Sequence, residues 1–419
     1  MTLAAVSAQE PCDAGATGTV VPVDIAAAKA AAAVMAVAET ETLDLLAANG
    51  RVPAAEVRAG PNLPPFNASA MDGYAVKADR FGGPGPWRFA VTGRIAAGDA
   101  PRPSFEGSVR ILTGAPVPDG FDTVVMQEKC TVDGDDIVIR ERPRTGQNVR
   151  VAGEDVRCGE ALLREGDLLK PQHLALLAGQ GMAGIEVRRR IRVGLVSTGT
   201  ELREPGERLH PGQIFNSNRV MLRASLDACR WAEVIDFGIV ADTREEIAAA
   251  LAEAAKRCDA IITTGGVSAG EEDHVTSAVS SGGGALDVLK VAMRPGKPVK
   301  VGRLGSALFL GLPGNPNATL VTFRMIALPA LRKMAGLSGT APVWTRAVAD
   351  FTYDKRADRT EFVPVRLGDP APDGLPRLTM LGRGSSASLR AISQAEGIAL
   401  LPPGVDRIEP GLPLAFEAM

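Results

Sequence analysis

The sequence predicts a multidomain α/β protein organised around a doubly wound, mostly parallel sheet. Short apolar, β-branched runs alternate with helical patterns between residues 190 and 335, as strand–helix–strand units require. Residues 75–145 and the chain after Gly336 break instead into short apolar runs separated by Gly and Pro. That pattern predicts β-rich domains on either side. A length of 419 residues allows about three domains at roughly 150 residues apiece, and more if some are small.

Residues 1–21 carry little pattern and are expected to form a flexible tail. They lack a basic segment followed by a long apolar one, so no signal peptide is expected. Residues 22–48 are Ala-rich, carry Leu43, Leu45 and Leu46 near their end, and are followed by Asn49-Gly50. This predicts a long amphipathic helix with a Gly C-cap. Residues 61–66 are Pro-rich extended chain. Apolar runs at 123–132 and 136–141 flank Asp133-Gly134, a hairpin signal. A helix is predicted at 171–179, opening on Pro171.

In the α/β section, strands are predicted at 191–196, 234–240, 260–264, 285–291 and 307–311. Helices are predicted at 216–229, capped by Asn216 or Ser217, and at 317–334. A third, at 243–257, opens on the capping box Thr243-x-x-Glu246. Further strands are predicted at 343–350, 361–367, 376–381 and 397–401.

Hydrophobic residues make up 45% and charged residues 23% of the chain, ordinary globular values. A net charge of -3 and a pI near 5.8 offer no basic surface for nucleic acid. With 4% aromatics, there are few rings on which bases could stack. The most apolar segment, 26–38, is interrupted by Lys29 and is too short to span a bilayer. The five cysteines are scattered without a CxxC pair, as in reduced cytoplasmic proteins. His173, His210 and His274 lie far apart in sequence and support neither a zinc site nor a Ser-His-Asp triad.

In an open parallel sheet, ligands bind beyond the C-terminal strand ends. Three loops are expected there: Ser197-Thr-Gly-Thr-Glu201, Gly265-Gly266-Val-Ser268-Ala-Gly270 and Leu312-Pro313-Gly314-Asn315-Pro316. Glycines let backbone N–H groups approach an anion, and a helix N-terminus adds a favourable dipole. Any one loop would be an ordinary strand-to-helix turn; together they predict a cradle for a phosphorylated ligand. Arg294, Lys297 and Lys300 place cations beside it, on a turn stiffened by Pro295 and Pro298, and Lys290 precedes that turn. Such cations suit an oxyanion or a phosphate. Glu201, Asp242 and Asp273 belong to the same sheet edge, and one or two carboxylates plus ligand phosphates suit Mg2+. Outside this domain, Asp72 beside Gly73, residues 112–118 and Gly153-Glu-Asp155 read locally as tight turns.

Taken together, these segments resemble one family. Pro64-Pro-Phe-Asn-Ala-Ser-Ala-Met-Asp-Gly-Tyr-Ala-Val76, Ile111-Leu-Thr-Gly-Ala-Pro-Val-Pro118 and Gly153-Glu-Asp155 come first. Ser197-Thr-Gly-Thr-Glu201, Thr264-Gly-Gly-Val-Ser-Ala-Gly270, Arg294-Pro-Gly-Lys-Pro298 and Gly311-Leu-Pro-Gly-Asn-Pro316 follow. This is the order found in the molybdopterin molybdenumtransferases. The resemblance implies an elongated homodimer. Each subunit would have an extended domain (22–60 joined to 147–189), a β-rich insert (61–146), an α/β domain (190–336) like that of gephyrin, and a C-terminal β-barrel (337–419).

The implied reaction takes molybdate and adenylated molybdopterin as substrates, with Mg2+, and releases AMP. The implied cleft lies between the α/β domain of one subunit and the insert of the other. It would unite Asp72, Thr113, Asp155 and Glu201 as catalytic groups. Asp242 and Asp273 would hold the metal. Lys290, Arg294, Lys297, Arg359 and Ser386, with Gly265, Gly266, Ser268, Pro313, Gly314, Asn315 and Pro316, would hold substrate. Thr200 stands where the family more often has Asp, Arg294 where Lys is commoner, and Asn317-Ala318 where a small apolar residue and Ser are usual. A molybdopterin adenylyltransferase-like activity and a non-catalytic scaffold of the same fold are the alternatives. The complete set of Asp72, Thr113, Glu201, Asp242 and Asp273 favours catalysis.

Overall fold

The computed structural model describes residues 20–100, 106–265 and 274–419. The expected tail lies outside them except for Val20–Val21, which forms an edge strand. Six of the seven strands in the central sheet run the same way. In spatial order they are Val20–Val21, Ala285–Val291, Pro298–Leu304, Ala307–Leu312, Ala260–Thr264, Ile191–Thr198 and Ala232–Val240. Pro298–Leu304 alone is antiparallel to its neighbours.

Both faces are covered, as the unbroken apolar runs require. Side chains alternate across the sheet with period two. Ile262, Leu308 and Leu310 pack with Leu222, Leu226, Val321 and Ile326 on one face. Ile261 and Phe309 pack with Ile247, Leu251, Val275 and Val279 on the other. Each such buried aliphatic side chain contributes roughly 1.5–3 kcal/mol.

Both predicted N-cap residues are found at their helix starts, though only the Thr243 half of the expected capping box is formed among the described residues. Asn216 accepts from the Arg219 N–H at 3.2 Å and opens Ser217–Asp227. Thr243 Oγ1 accepts from the Glu246 N–H at 3.3 Å and opens Arg244–Arg257. The helix predicted at 317–334 runs from Pro316 to Met334 but carries a π-helical segment at Phe323–Ala327. Pro329 follows that segment and has no N–H with which to continue the regular ladder.

Three expectations are corrected. The helix expected over 22–48 spans only Val23–Ala32 and packs on the α/β sheet through Ala26 and Ala30. Thr40–Asp44 is instead a strand paired with Gly184–Arg188. The β-branched Thr40 and Thr42 suit a strand, and this long-range pairing outweighs the helical leaning of the Ala-rich run. Gly50, with φ +75°, makes a bend whose N–H donates to Leu169 O at 2.8 Å, rather than a helix cap. The run at 123–132 splits into Thr123–Met126, a 3-10 turn and Cys130–Asp133, although the hairpin at Gly134 stands. Finally, Pro298–Leu304 is a strand rather than a turn, so Lys300 is buried in the sheet instead of standing on a turn beside the cradle.

The chain leaves and returns along a ladder of short antiparallel pairs. Thr40–Asp44 meets Gly184–Arg188, Val57–Arg58 meets Ala161–Leu163, and Ala68–Ser69 meets Val149–Arg150. The ladder leads to a six-stranded insert sheet that runs from Gly73–Val76 to Asp136–Ile139 in the chain. After residue 337, strands Thr345–Ala349, Thr360–Pro370, Pro376–Met380, Gly397–Leu401 and Pro413–Ala418 close into a five-stranded barrel. Closure removes both sheet edges.

Candidate active site

Ile191–Thr198 continues to a strand on one side, while Ala260–Thr264 lies on the other. The crevice at the C-terminal ends of these two strands is therefore the topological switch point of the sheet. Three loops meet there closely. Gly265 has φ +92°, and a Cβ on it would stand 2.4 Å from the Thr198 carbonyl oxygen. A Cβ on Gly314 would lie 3.9 Å from Gly265 Cα. Neither loop could approach so closely around a larger side chain at position 265.

The loops form one wall of a cleft of about 780 Å³, lined by Glu201, Gly265, Pro313, Gly314 and Asn315 with Arg294 and Lys297. The C-terminal barrel supplies the opposite wall through Arg359 and the 384–386 loop. Asn315 occupies the N-cap position of Pro316–Thr322 without capping it. Its Nδ2 instead donates to Ser386 Oγ at 3.0 Å. Asn317 reinforces this seam. Its backbone N–H donates to Ser386 O at 2.9 Å and its side chain to Ser385 O at 3.2 Å. That is what the unusual Asn at 317 does here.

The cations are held by a carboxylate that sequence reasoning passed over. Met293–Arg294 pairs in parallel with the barrel strand, in a register that sets Arg294 opposite Glu361. Glu361 is 1% exposed. Its Oε1 accepts from Arg359 Nε at 3.2 Å and its Oε2 from Arg294 Nη1 at 3.4 Å. The Tyr353 hydroxyl donates to Oε2 at 3.2 Å and accepts from Arg294 Nη1 at 3.1 Å. Burial and the neighbouring carboxylate push that phenol above its ordinary pKa, so it stays protonated. The one signal in sequence was a lone Glu leading an apolar strand run.

A second lobe of about 610 Å³ adjoins the first, sharing Glu201, Gly265, Gly314 and Asn315 and adding Thr198, Asn216, Asn218 and Pro316. Thr198 Oγ1, Asn216 Nδ2 and Asn218 Oδ1 are buried without a hydrogen-bond partner among the described residues. Unpaired buried polar atoms are costly and cluster where a ligand completes them.

The remaining expected residues lie elsewhere. Asp72 and Thr113 pair in the insert, where Asp72 Oδ1 accepts from the Thr113 N–H at 2.7 Å and its hydroxyl at 2.8 Å. Those two bonds hold the exposed carboxyl below its ordinary pKa. Asp155 lines a separate cleft with Pro64, Phe66, Arg150 and Glu154. Lys290 is exposed on the Ala285–Val291 strand and Asp242 precedes the Thr243 cap; neither lines the cation cleft. Gly266, Ser268 and Asp273 lie outside the described residues. Burial pushes the Cys130 and Cys258 thiols up to about 11, so neither is an activated nucleophile.

Comparison with known proteins agrees with this architecture. Residues 21–181 match the MoeA N-terminal region (domains I and II), 194–333 a probable molybdopterin binding domain, and 346–417 the MoeA C-terminal region (domain IV). The chain is 39% identical over 328 residues to the molybdopterin molybdenumtransferase of Haemophilus influenzae, covering 77% of this chain and 80% of that protein. It is 36% identical over 383 residues to that of Nostoc, covering 89% and 87%. A crystal structure of a molybdopterin biosynthesis MoeA protein from Pyrococcus horikoshii superposes with a TM-score of 0.81 at 26% identity, covering 96% of this chain and 100% of that one. With matched domains along nearly its whole length and relatives above 30% identity, the chain belongs to the molybdopterin molybdenumtransferase family.

Proposed function

We propose that the cation cleft binds molybdate beside adenylated molybdopterin and that the chain transfers molybdenum to the dithiolene as AMP leaves. The carrying observation is the convergence of Arg294, Lys297 and Arg359 opposite the glycine loops and the Asn315 helix start. Lys297 is exposed and makes no ion pair among the described residues, and two guanidinium groups suit a tetrahedral oxyanion. The unpaired Thr198, Asn216 and Asn218 atoms fit a polar, ring-bearing substrate in the adjoining lobe. An adenylyltransferase working through the α/β domain alone would have no use for a barrel that supplies Arg359 and Ser386.

The carboxylates read from the sequence are of the kind that suits Mg2+. Neither Asp242 nor Glu201 commits its carboxylate to a hydrogen bond or ion pair among the described residues, and Glu201 lies folded over Gly199 in the cleft. Mg2+ uses one or two carboxylates and takes its other ligands from water and phosphate. Asp242 and Asp273 would hold it, with Glu201 as a further candidate, and it would supply charge neutralisation at the pyrophosphate. The residues of the chain do the rest. Arg294 and Arg359 orient the oxyanion, Ser386 fixes Asn315, and the glycine loops bring N–H groups to phosphate.

Asp72, Thr113 and Asp155 enter this reading through a homodimer, in which the insert of a second subunit reaches the cleft. Among the described residues no helix is long and apolar enough to cross a membrane, and the reading places the protein in the cytoplasm. The test is purified protein with adenylated molybdopterin, Mg2+ and molybdate. Molybdate-dependent AMP release that reactivates a molybdenum-free apo-enzyme is the expected result. Adenylate binding without AMP release would overturn it in favour of a scaffold.

A further inference from the structure

We infer that Glu361 and Tyr353 are positioning residues that aim the Arg294 and Arg359 guanidinium groups at one tetrahedral oxyanion. The inference rests on the oxyanion reading of the cleft given above.

A buried carboxylate between two arginines could be no more than a neutraliser that docks the barrel on the α/β domain. Its geometry says more. Glu361 divides its two oxygens, one to each arginine, and takes the Nε of Arg359 rather than the terminal fork. The terminal nitrogens of Arg359 therefore donate to nothing among the described residues, while the planar group is fixed from behind. Arg294 is held at three points: Glu361, the Tyr353 hydroxyl, and the Gly384 carbonyl, which accepts from Nη2 at 3.2 Å.

Gly384 is part of the device. It has φ +70°, and a Cβ there would stand 2.5 Å from the Tyr353 hydroxyl, so only Gly lets the phenol reach this place. The two arginines come from different domains, and each keeps cleft-facing exposure, at 40% for Arg294 and 27% for Arg359, while their shared anchor is 1% exposed. Lys355 steadies the second arginine. Its buried ammonium donates to Arg359 O at 3.1 Å and to Pro402 O at 2.9 Å, pinning the turn that carries Arg359 to the end of the adjoining strand Gly397–Leu401.

Positioning and neutralisation make opposite predictions for one substitution. Removing the negative charge of Glu361 strengthens anion binding if charge alone matters, and weakens it if the carboxylate aims the donors. Molybdate binding to the full-length protein is measured by calorimetry for wild type, Glu361→Gln and Tyr353→Phe. AMP release is followed in parallel to separate KM for molybdate from kcat.

The expected result is weaker molybdate binding by about tenfold in Glu361→Gln and about threefold in Tyr353→Phe, the size of one charge-assisted and one neutral hydrogen bond. The KM for molybdate rises in step, with kcat at saturating molybdate within about twofold of wild type. Tyr353→Phe changes no charge and keeps the ring, so it decides the matter if Glu361→Gln folds poorly. Unchanged binding in Tyr353→Phe, or tighter binding in a folded Glu361→Gln, overturns the inference alone. Absence of saturable molybdate binding by wild type overturns the oxyanion reading of the cleft and the inference with it.

Discussion

In the cation cleft, two arginines from two domains share a carboxylate that is almost wholly buried, whereas in the β-rich insert Asp72 is exposed and accepts from the N–H and hydroxyl of Thr113. The first arrangement is finished within one chain: each guanidinium group has a fixed acceptor behind it and an open side facing the cleft. The second stands apart from it, since neither Asp72 nor Thr113 lines the cation cleft. Binding of an anion needs preorganised donors. Chemistry that begins only when two surfaces meet leaves its groups in solvent until they do.

The largest effect expected from breaking this comparison is on the cleft side. Replacing Arg294 and Arg359 together with Ala removes both guanidinium groups and with them both ion-pair partners of the buried Glu361. At about 1.5–3 kcal/mol for each charge-assisted bond, molybdate-dependent AMP release is expected to fall by at least about a hundredfold. The adenylated pterin, bound mainly through the glycine loops and the adjoining lobe, should keep its affinity. An equal loss of affinity for both substrates would show that the cleft is a single undivided site.

Subunit mixing sharpens the comparison next. If the insert of one subunit completes the cleft of the other, Asp72→Ala and Arg359→Ala are each inactive alone. Unfolded together and refolded, they should regain about a quarter of wild-type activity, since half of random two-fold pairs are mixed and each mixed pair has one intact cleft. No recovery, with mixed dimers demonstrated by tag exchange, would mean that Asp72 acts within its own chain or not at all.

The same contrast explains what could be read from the sequence. The α/β section was legible because its signals are local. Apolar runs with helical interludes gave the strands Ala260–Thr264 and Ala285–Val291 to the residue, and Asn216 and Thr243 announced their helices. The glycine loops were legible because strand ends in such a sheet gather at one edge. What stayed hidden depends on pairing between distant segments. Nothing near Thr40 says that it will lie beside Arg188, so the Ala-rich run read as one long helix. Nothing near Glu361 says that Arg294, 67 residues away, will face it across a two-residue strand. Asn315 was placed at its helix start correctly, yet its partner is a serine of another domain.

A third substitution separates stability from both sites. Asp259 begins the Ala260–Thr264 strand and accepts from Arg189 Nη1 at 2.7 Å, Arg189 Nη2 at 2.9 Å and the Arg192 N–H at 2.6 Å. It ties the returning arm of the extended ladder to the central sheet. Burial pushes its carboxyl pKa up, but Arg189 and the Arg192 N–H outweigh burial and hold it below the ordinary value. A depressed carboxyl stabilises the fold fully above the unfolded value near 4 and loses that contribution as pH falls through the folded value. Asp259→Ala is expected to cost about 2–3 kcal/mol, between the worth of an exposed pair and a fully buried one, because the side chain is 18% exposed. Thermal melts from pH 7 downward check it. Wild type and variant should differ most at pH 7 and converge in acid, while KM for molybdate at pH 7 stays unchanged.

The smallest expected effect tests whether the α/β scaffold can be weakened without disturbing the cleft it carries. Thr243 caps Arg244–Arg257 on the face of the sheet opposite the helix that starts at Pro316. Its Oγ1 satisfies one of the orphan N–H groups at that helix start, so Thr243→Ala should cost about 1 kcal/mol and Thr243→Asn almost nothing. Asp242 stands immediately before this cap. If its carboxylate helps to hold Mg2+, fraying of the first turn will raise the Mg2+ concentration needed for half-maximal AMP release in Thr243→Ala, and Thr243→Asn will restore it. If the melting temperature falls while the Mg2+ requirement does not move, the cap serves the fold alone. Asp242 would then lose its place among the metal-holding residues, leaving Glu201 as the carboxylate of the described cleft.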